Sequence, residues 1–98
     1  MTKRELLKQE KVLKVKMSVL LIKVREANGF SNPFIVSKEL GQSMSTLRNI
    51  EKCISFPTKK TLRELMRFYI LTPIEREELE QLKKEMLKLR KQLKKVGN

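Results

Sequence analysis

The chain has no histidine and no tryptophan, a single cysteine, three glycines, three prolines, and one tyrosine with four phenylalanines as its whole aromatic complement. Each scarcity removes a class of function or fold. Without histidine there is no zinc finger of the Cys/His kind and no Ser-His-Asp triad to propose. A lone Cys53 cannot close an intramolecular disulfide, and it reads as a small, partly buried hydrophobe. Few glycines, prolines and aromatics beside abundant lysine, leucine and glutamate favour helices over sheets, so an all-α protein is expected. The longest uninterrupted apolar run, Val19 to Ile22, falls far short of the ~18 residues that span a bilayer. The polar start also lacks the apolar segment of a signal peptide, which makes a cytoplasmic location the expectation. No catalysis, cofactor, metal, membrane association or small-molecule ligand is expected from this residue set.

What the chain does have is positive charge: 23 Lys and Arg against 11 Asp and Glu, a net +12 on 98 residues. Such a balance favours a polyanionic partner. At 40% hydrophobic, the chain has enough apolar material to fold rather than stay disordered. Its length fits one small domain with a short appendage.

Five helices follow from caps, breakers and apolar spacing. Thr2 and Glu5 form a capping box, and Leu6, Leu13, Met17, Leu20, Leu21 and Val24 then line one stripe of a long first helix that ends near Asn28-Gly29. Ser31-Asn32-Pro33 offers a cap followed by proline at the first helical position, and Gly41 stops this second helix after about two turns. Ser43 caps a third helix that runs to about Cys53, and Thr58 caps a fourth through Leu62, Leu65, Met66, Tyr69 and Ile70. Thr72-Pro73-Ile74-Glu75 combines cap, first-position proline and capping-box glutamate at the start of a fifth helix, with no glycine or proline until Gly97.

The most informative stretch runs from Val36 to Glu51. Ser37 is small where two helices cross closely, Gly41 permits a left-handed turn, and Leu40, Leu47 and Ile50 meet in the angle between the helices. Met44, Ser45, Arg48, Asn49 and Lys52 are left on the outer face of the third helix. At these residues the sequence resembles the helix-turn-helix domains of the phage Cro and repressor type, the XRE family. The resemblance covers roughly residues 19–71 and includes Val24-Arg25, Gly29-Phe30-Ser31, Ile50-Glu51, Pro57 and Thr61-Leu62. The chain departs from the family pattern at Gln42, where an apolar turn residue is usual, and at Cys53, where glycine commonly stands. One residue more than the pattern separates Ser31 from Val36.

The resemblance implies sequence-directed binding of double-stranded DNA, with the third helix in the major groove and helix N-termini near phosphates. It makes Met44, Ser45, Arg48 and Asn49 the base-contact candidates: Arg48 for guanine, Asn49 for adenine, Met44 or Ser45 for a thymine methyl or nearby acceptor. Lys38, Ser43, Lys52, Lys59 and Lys60 are the phosphate candidates. Arg25 and Glu51 would form a scaffolding pair.

Outside this region lie two arms, residues 1–18 as a basic extension of the first helix and residues 72–98 as a long C-terminal helix. The latter carries Leu79, Leu82, Met86, Leu89, Leu93 and Val96 at alternating spacings of three and four, the a/d seam of a coiled coil. Glu78 and Glu85 would face Lys83 and Arg90 of a parallel second copy, which favours a dimer with helix-turn-helix symmetry. The competing arrangement packs the N-terminal extension, with Leu6, Leu7, Val12, Leu13 and Val15, against the C-terminal helix of the same chain. Charge is uneven as well: residues 1–28 hold eight basic and three acidic residues, whereas residues 29–52 hold three and two. The expected function is therefore a dimeric transcriptional regulator, a repressor or autoregulator, whose arms grip phosphates and whose third helix reads bases. The alternative is a protein-docking module on the same scaffold, such as a mobile-element accessory factor or an antitoxin-like partner.

Overall fold

Every helix of this chain begins where a side-chain oxygen satisfies one of its first free N–H groups. In the computed structural model, which describes residues 1–96, α1 spans Lys3–Ala27, α2 Pro33–Leu40, α3 Met44–Glu51, α4 Lys59–Phe68 and α5 Pro73–Val96. Gly97 and Asn98, with the end of the expected 72–98 segment, lie outside the described residues. Thr2 Oγ1 accepts from the Glu5 N–H at 3.2 Å, Asn32 Oδ1 from Ile35 at 3.2 Å, and Thr58 Oγ1 from Thr61 at 3.2 Å. At α5 the box is reciprocal: Thr72 Oγ1 accepts from Glu75 N at 3.1 Å while Thr72 N donates to Glu75 Oε1 at 2.9 Å.

The helix ends depart slightly from expectation. α3 stops at Glu51 rather than near Cys53, because Cys53 turns into the left-handed region at φ 63°. α4 stops at Phe68, since Tyr69 is already extended (φ −80°, ψ 147°). At the end of α1 it is Gly29, at φ 86°, that takes the left-handed conformation. The Asn28 side chain does something else: its amide donates to Val24 O at 2.8 Å and Ile70 O at 3.2 Å, and its oxygen accepts from Ile70 N at 2.8 Å. One asparagine thus ties the end of α1 to the loop between α4 and α5.

The described residues form an all-α bundle of five helices with no strand. α1 and α5 make its most extensive pairing, with α2 packed on α3 and α3 on α1. The 25 residues of α1 rise ~38 Å, close to the 42 Å long axis of the molecule. Leu6, Leu13, Met17, Leu20, Leu21 and Val24 are buried together with Leu79, Leu82, Met86 and Leu89 in one core that Leu47, Ile50, Leu62 and Leu65 continue. No described helix is long and apolar enough to cross a membrane.

In this packing the C-terminal stripe takes the competing arrangement, covered by α1 of the same chain. Leu79, Leu82, Met86 and Leu89 are buried within the single chain, and Leu93 packs against the same core; only Val96 is exposed. Arg90, the expected partner of a glutamate in a second copy, stands over the Phe56 ring at 5.8 Å, and Lys83 lies 4.0 Å from Glu80 of its own helix. The physical reason is entropic. A complementary stripe on α1, tethered in the same chain, covers the α5 stripe without the loss of translational freedom that a second molecule would bring.

Candidate nucleic-acid interface

α2 and α3 are joined by Gly41, Gln42 and Ser43. Gly41 adopts φ 66°, and the turn closes through Gly41 N to Lys38 O at 3.2 Å and Gln42 N to Ser37 O at 2.9 Å. The second bond reaches back over the fully buried Ser37, where a larger residue would push the helices apart. Gln42 points into the bundle rather than away from it, and its amide donates to the Glu64 carboxylate on α4. The family departure at this position is therefore a polar tie in place of an apolar one.

The far end of α3 is fixed more firmly. Arg25 on α1 grips Glu51 through Nε to Oε2 at 2.8 Å and NH2 to Oε1 at 3.0 Å, while its NH1 donates to Phe30 O at 2.7 Å. Ser18, buried on α1, donates its hydroxyl to Glu51 O at 2.6 Å. A planar guanidinium with both edges engaged fixes direction as well as distance. These bonds hold α3 against α1, with Leu47 and Ile50 facing inward. Tyr69 lies in the same environment. Burial pushes its phenol up to about 12, with the Glu51 carboxylate adding to the rise and Arg25 opposing it.

With one face of α3 buried and both ends tied, Ser45, Arg48 and Lys52 project outward as exposed residues, Asn49 is half-buried beside them, and Met44 stands at the edge of this face, also exposed. The four base-contact candidates thus share one helix surface. Among the phosphate candidates, Lys38 is exposed on α2, Lys52 caps the end of α3, and Lys59 and Lys60 occupy the exposed first turn of α4. Ser43 serves first as the N-cap of α3: its Oγ accepts from Ser45 N at 3.3 Å and lies 2.9 Å from Ser45 Oγ. Any contact by either hydroxyl shares that bond. Among the described residues, no carboxylate lies within 4.0 Å of Arg48, Lys38, Lys52, Lys59 or Lys60.

Three positioning residues carry little signal of their own in the sequence. Ser18 is a single small polar residue on an apolar stripe, and Asn28 reads as a helix terminator. Gln42 reads only as a turn residue that departs from the usual apolar one. Among the described residues no group of three His, Cys, Asp or Glu side chains is placed to hold a metal ion. No family model, no curated protein and no solved structure matches the chain.

Proposed function

We propose that the chain is a sequence-specific DNA-binding regulator of the Cro/repressor helix-turn-helix type, with α3 entering the major groove. One observation carries this reading: α3 offers an outer face of Ser45, Arg48, Asn49 and Lys52 without ion-pair partners, while Ser18 and Arg25 fix its end to α1. A rigid helix is what base readout by Arg48 and Asn49 needs, because a loosely held one loses the geometry of paired hydrogen bonds. Arg48 paired with guanine and Asn49 with adenine would each contribute about 1–3 kcal/mol of discrimination. Lys38, Lys52, Lys59 and Lys60 set the register on phosphates.

Regulation as a dimer needs a surface other than the buried α5 stripe. The outer side of α1 supplies one, with Val12, Val15 and Val19 exposed in a row. Val15 and Val19 line a groove whose α1 edge carries Lys16 and Lys23 and whose α5 edge carries Glu78 and Glu85. A two-fold axis through this groove lays the basic edge of each copy over the acidic edge of the other, which makes the patch self-complementary.

Selection of bound duplexes from a random pool tests the reading. A palindromic consensus that disappears with Arg48→Ala plus Asn49→Ala supports it; binding unaffected by that double change on every sequence overturns the base contacts. Sedimentation of Val15→Glu plus Val19→Glu tests the dimer face, with monomers expected where the parent chain gives dimers.

A protein-docking role is the second reading, favoured by Phe34, Ile35, Met44 and Ile54, four large apolar side chains left exposed on or beside α2 and α3. Capture of an acidic protein partner by this face, with no selected DNA sequence, would assign the chain to that class.

A further inference from the structure

We propose that the cleft between α4 and α5 is a second nucleic-acid contact, which grips the phosphate backbone beside the base pairs addressed by α3; it rests on the DNA-binding reading and extends it to residues outside the helix-turn-helix. The cleft, of about 290 Å³, is walled by Lys59, Arg63 and Arg67 of α4 and by Arg76 and Lys83 of α5, over a floor of Leu62 and Met66. Its one acidic wall residue, Glu80, lies 4.0 Å from Lys83. No carboxylate lies within 4.0 Å of Lys59, Arg63, Arg67 or Arg76 among the described residues.

The spacing is costly to the free protein. Lys59, Arg63 and Arg67 stand four residues apart along one helix face, where like charges are destabilising, and Arg76 adds another cation across the cleft. An anion drawn from outside is the natural source of compensation. Three of the five cations are arginines, whose flat fork matches a phosphate with two parallel hydrogen bonds. From Lys59 to Arg67 the row rises ~12 Å, a length over which one DNA strand presents about three to four phosphates.

The position also suits a flanking contact. On α4, Lys59, Arg63 and Arg67 lie between the edge that carries Leu62 and Met66 toward the cleft floor and the edge that carries Glu64, which holds Gln42 in the turn before α3. The basic strip is therefore continuous with the turn that presents the reading helix.

Salt-dependent binding of the full chain to two duplexes separates this contact from the rest, one limited to the selected site and one extended by a helical turn on each side. The triple variant Arg63→Gln, Arg67→Gln, Arg76→Gln removes three exposed charges. A control, Lys91→Gln, Lys94→Gln, Lys95→Gln, removes the same net charge from the exposed end of α5. On the extended duplex the cleft variant is expected to bind about tenfold more weakly at low salt. Its slope of log affinity against log salt should fall by about 2–3, near 0.9 per lost phosphate contact, with the selected base sequence unchanged. The control should keep more of both, and melting temperatures of the two variants confirm that each folds.

A cleft variant indistinguishable from the control overturns the proposal while the α3 reading stands. Loss of slope in the cleft variant from a chain with no sequence preference overturns base reading and leaves the cleft contact. No binding of the parent chain to any duplex overturns both. Binding of poly-glutamate through these arginines, with duplex binding unchanged, assigns the cleft to an acidic protein and overturns it too.

Discussion

The α1–α5 pair and the α2–α3 pair are both two helices in contact and share one apolar core, yet the short pair adds polar ties that the long pair does not use. α1 and α5, of 25 and 24 residues, bury matching apolar stripes along their length. α2 and α3 have eight residues each, fewer than the ~12–15 at which isolated helices become even marginal in water. Their placement combines burial of Val36, Leu47 and Ile50 in the core with directional polar ties from outside: Ser18 and Arg25 at the end of α3, and Glu64 at the turn. Burial by area is insensitive to small rotations, whereas a two-point guanidinium–carboxylate pair is not. The long pair thus supplies most of the buried apolar stripe, and the polar ties fix the direction of the short pair.

That division can be attacked from the stability side first. Leu79→Ala, at a fully buried position of α5, is expected to cost about 2–5 kcal/mol by denaturant unfolding. If DNA is bound by the residual folded fraction, its sequence preference should not change. Arg25→Met should cost about 2–3 kcal/mol, below the full value for a buried pair because the two side chains keep 8% and 14% of their exposure. Unlike the leucine change, it should also blur sequence selection, and equal selectivity in both variants would break the comparison.

Smaller effects sharpen it. Cys53 holds φ 63° with a side chain, and Cys53→Gly is expected to stabilise by about 1 kcal/mol through relief of left-handed strain, read as a higher melting temperature. Ser37→Ala removes a buried hydroxyl that has no hydrogen-bond partner, and a gain of up to about 1 kcal/mol is expected if the methyl fills the same space. The last effect is absent at neutral pH and appears only in alkali. Tyr69 is the single tyrosine, so absorbance near 295 nm reports it alone, with a midpoint near 12 rather than the ordinary 10.0. Because the folded phenol binds its proton more tightly than the unfolded one, stability is unaffected below pH 10 and falls as the pH rises toward 12.

Much of the fold is legible residue by residue. The capping positions Thr2, Asn32, Ser43, Thr58 and Thr72 sit where local hydrogen bonding puts them, as do the stop signals at Gly29 and Gly41, because each depends on atoms within a few residues. The ion pair of Arg25 with Glu51 was implied by family resemblance, and the chain makes it. The N-terminal extension was only half readable. Leu6 and Leu13 go inward while Leu7, Val12 and Val15 face out, since an apolar residue in sequence does not declare which of two adjacent stripes will be covered. The basic cleft is not legible in the sequence although Lys59, Arg63 and Arg67 are evenly spaced, because Arg76 and Lys83 join them only across the fold.

By itself, then, the sequence determined the helices, where each one starts, the inward residues of α3 and the excess of positive charge, all properties set by local hydrogen bonding, periodicity and composition. Only the tertiary structure decided what covers the α5 stripe, that Ser18 and Glu64 join Arg25 in holding α3 and the turn before it, and where the cations gather. A heptad stripe fits a second molecule or a neighbouring helix equally well. The chain's own α1 wins because it is already attached, and its choice leaves the outer valines and the α4–α5 cations as the surfaces still open to partners.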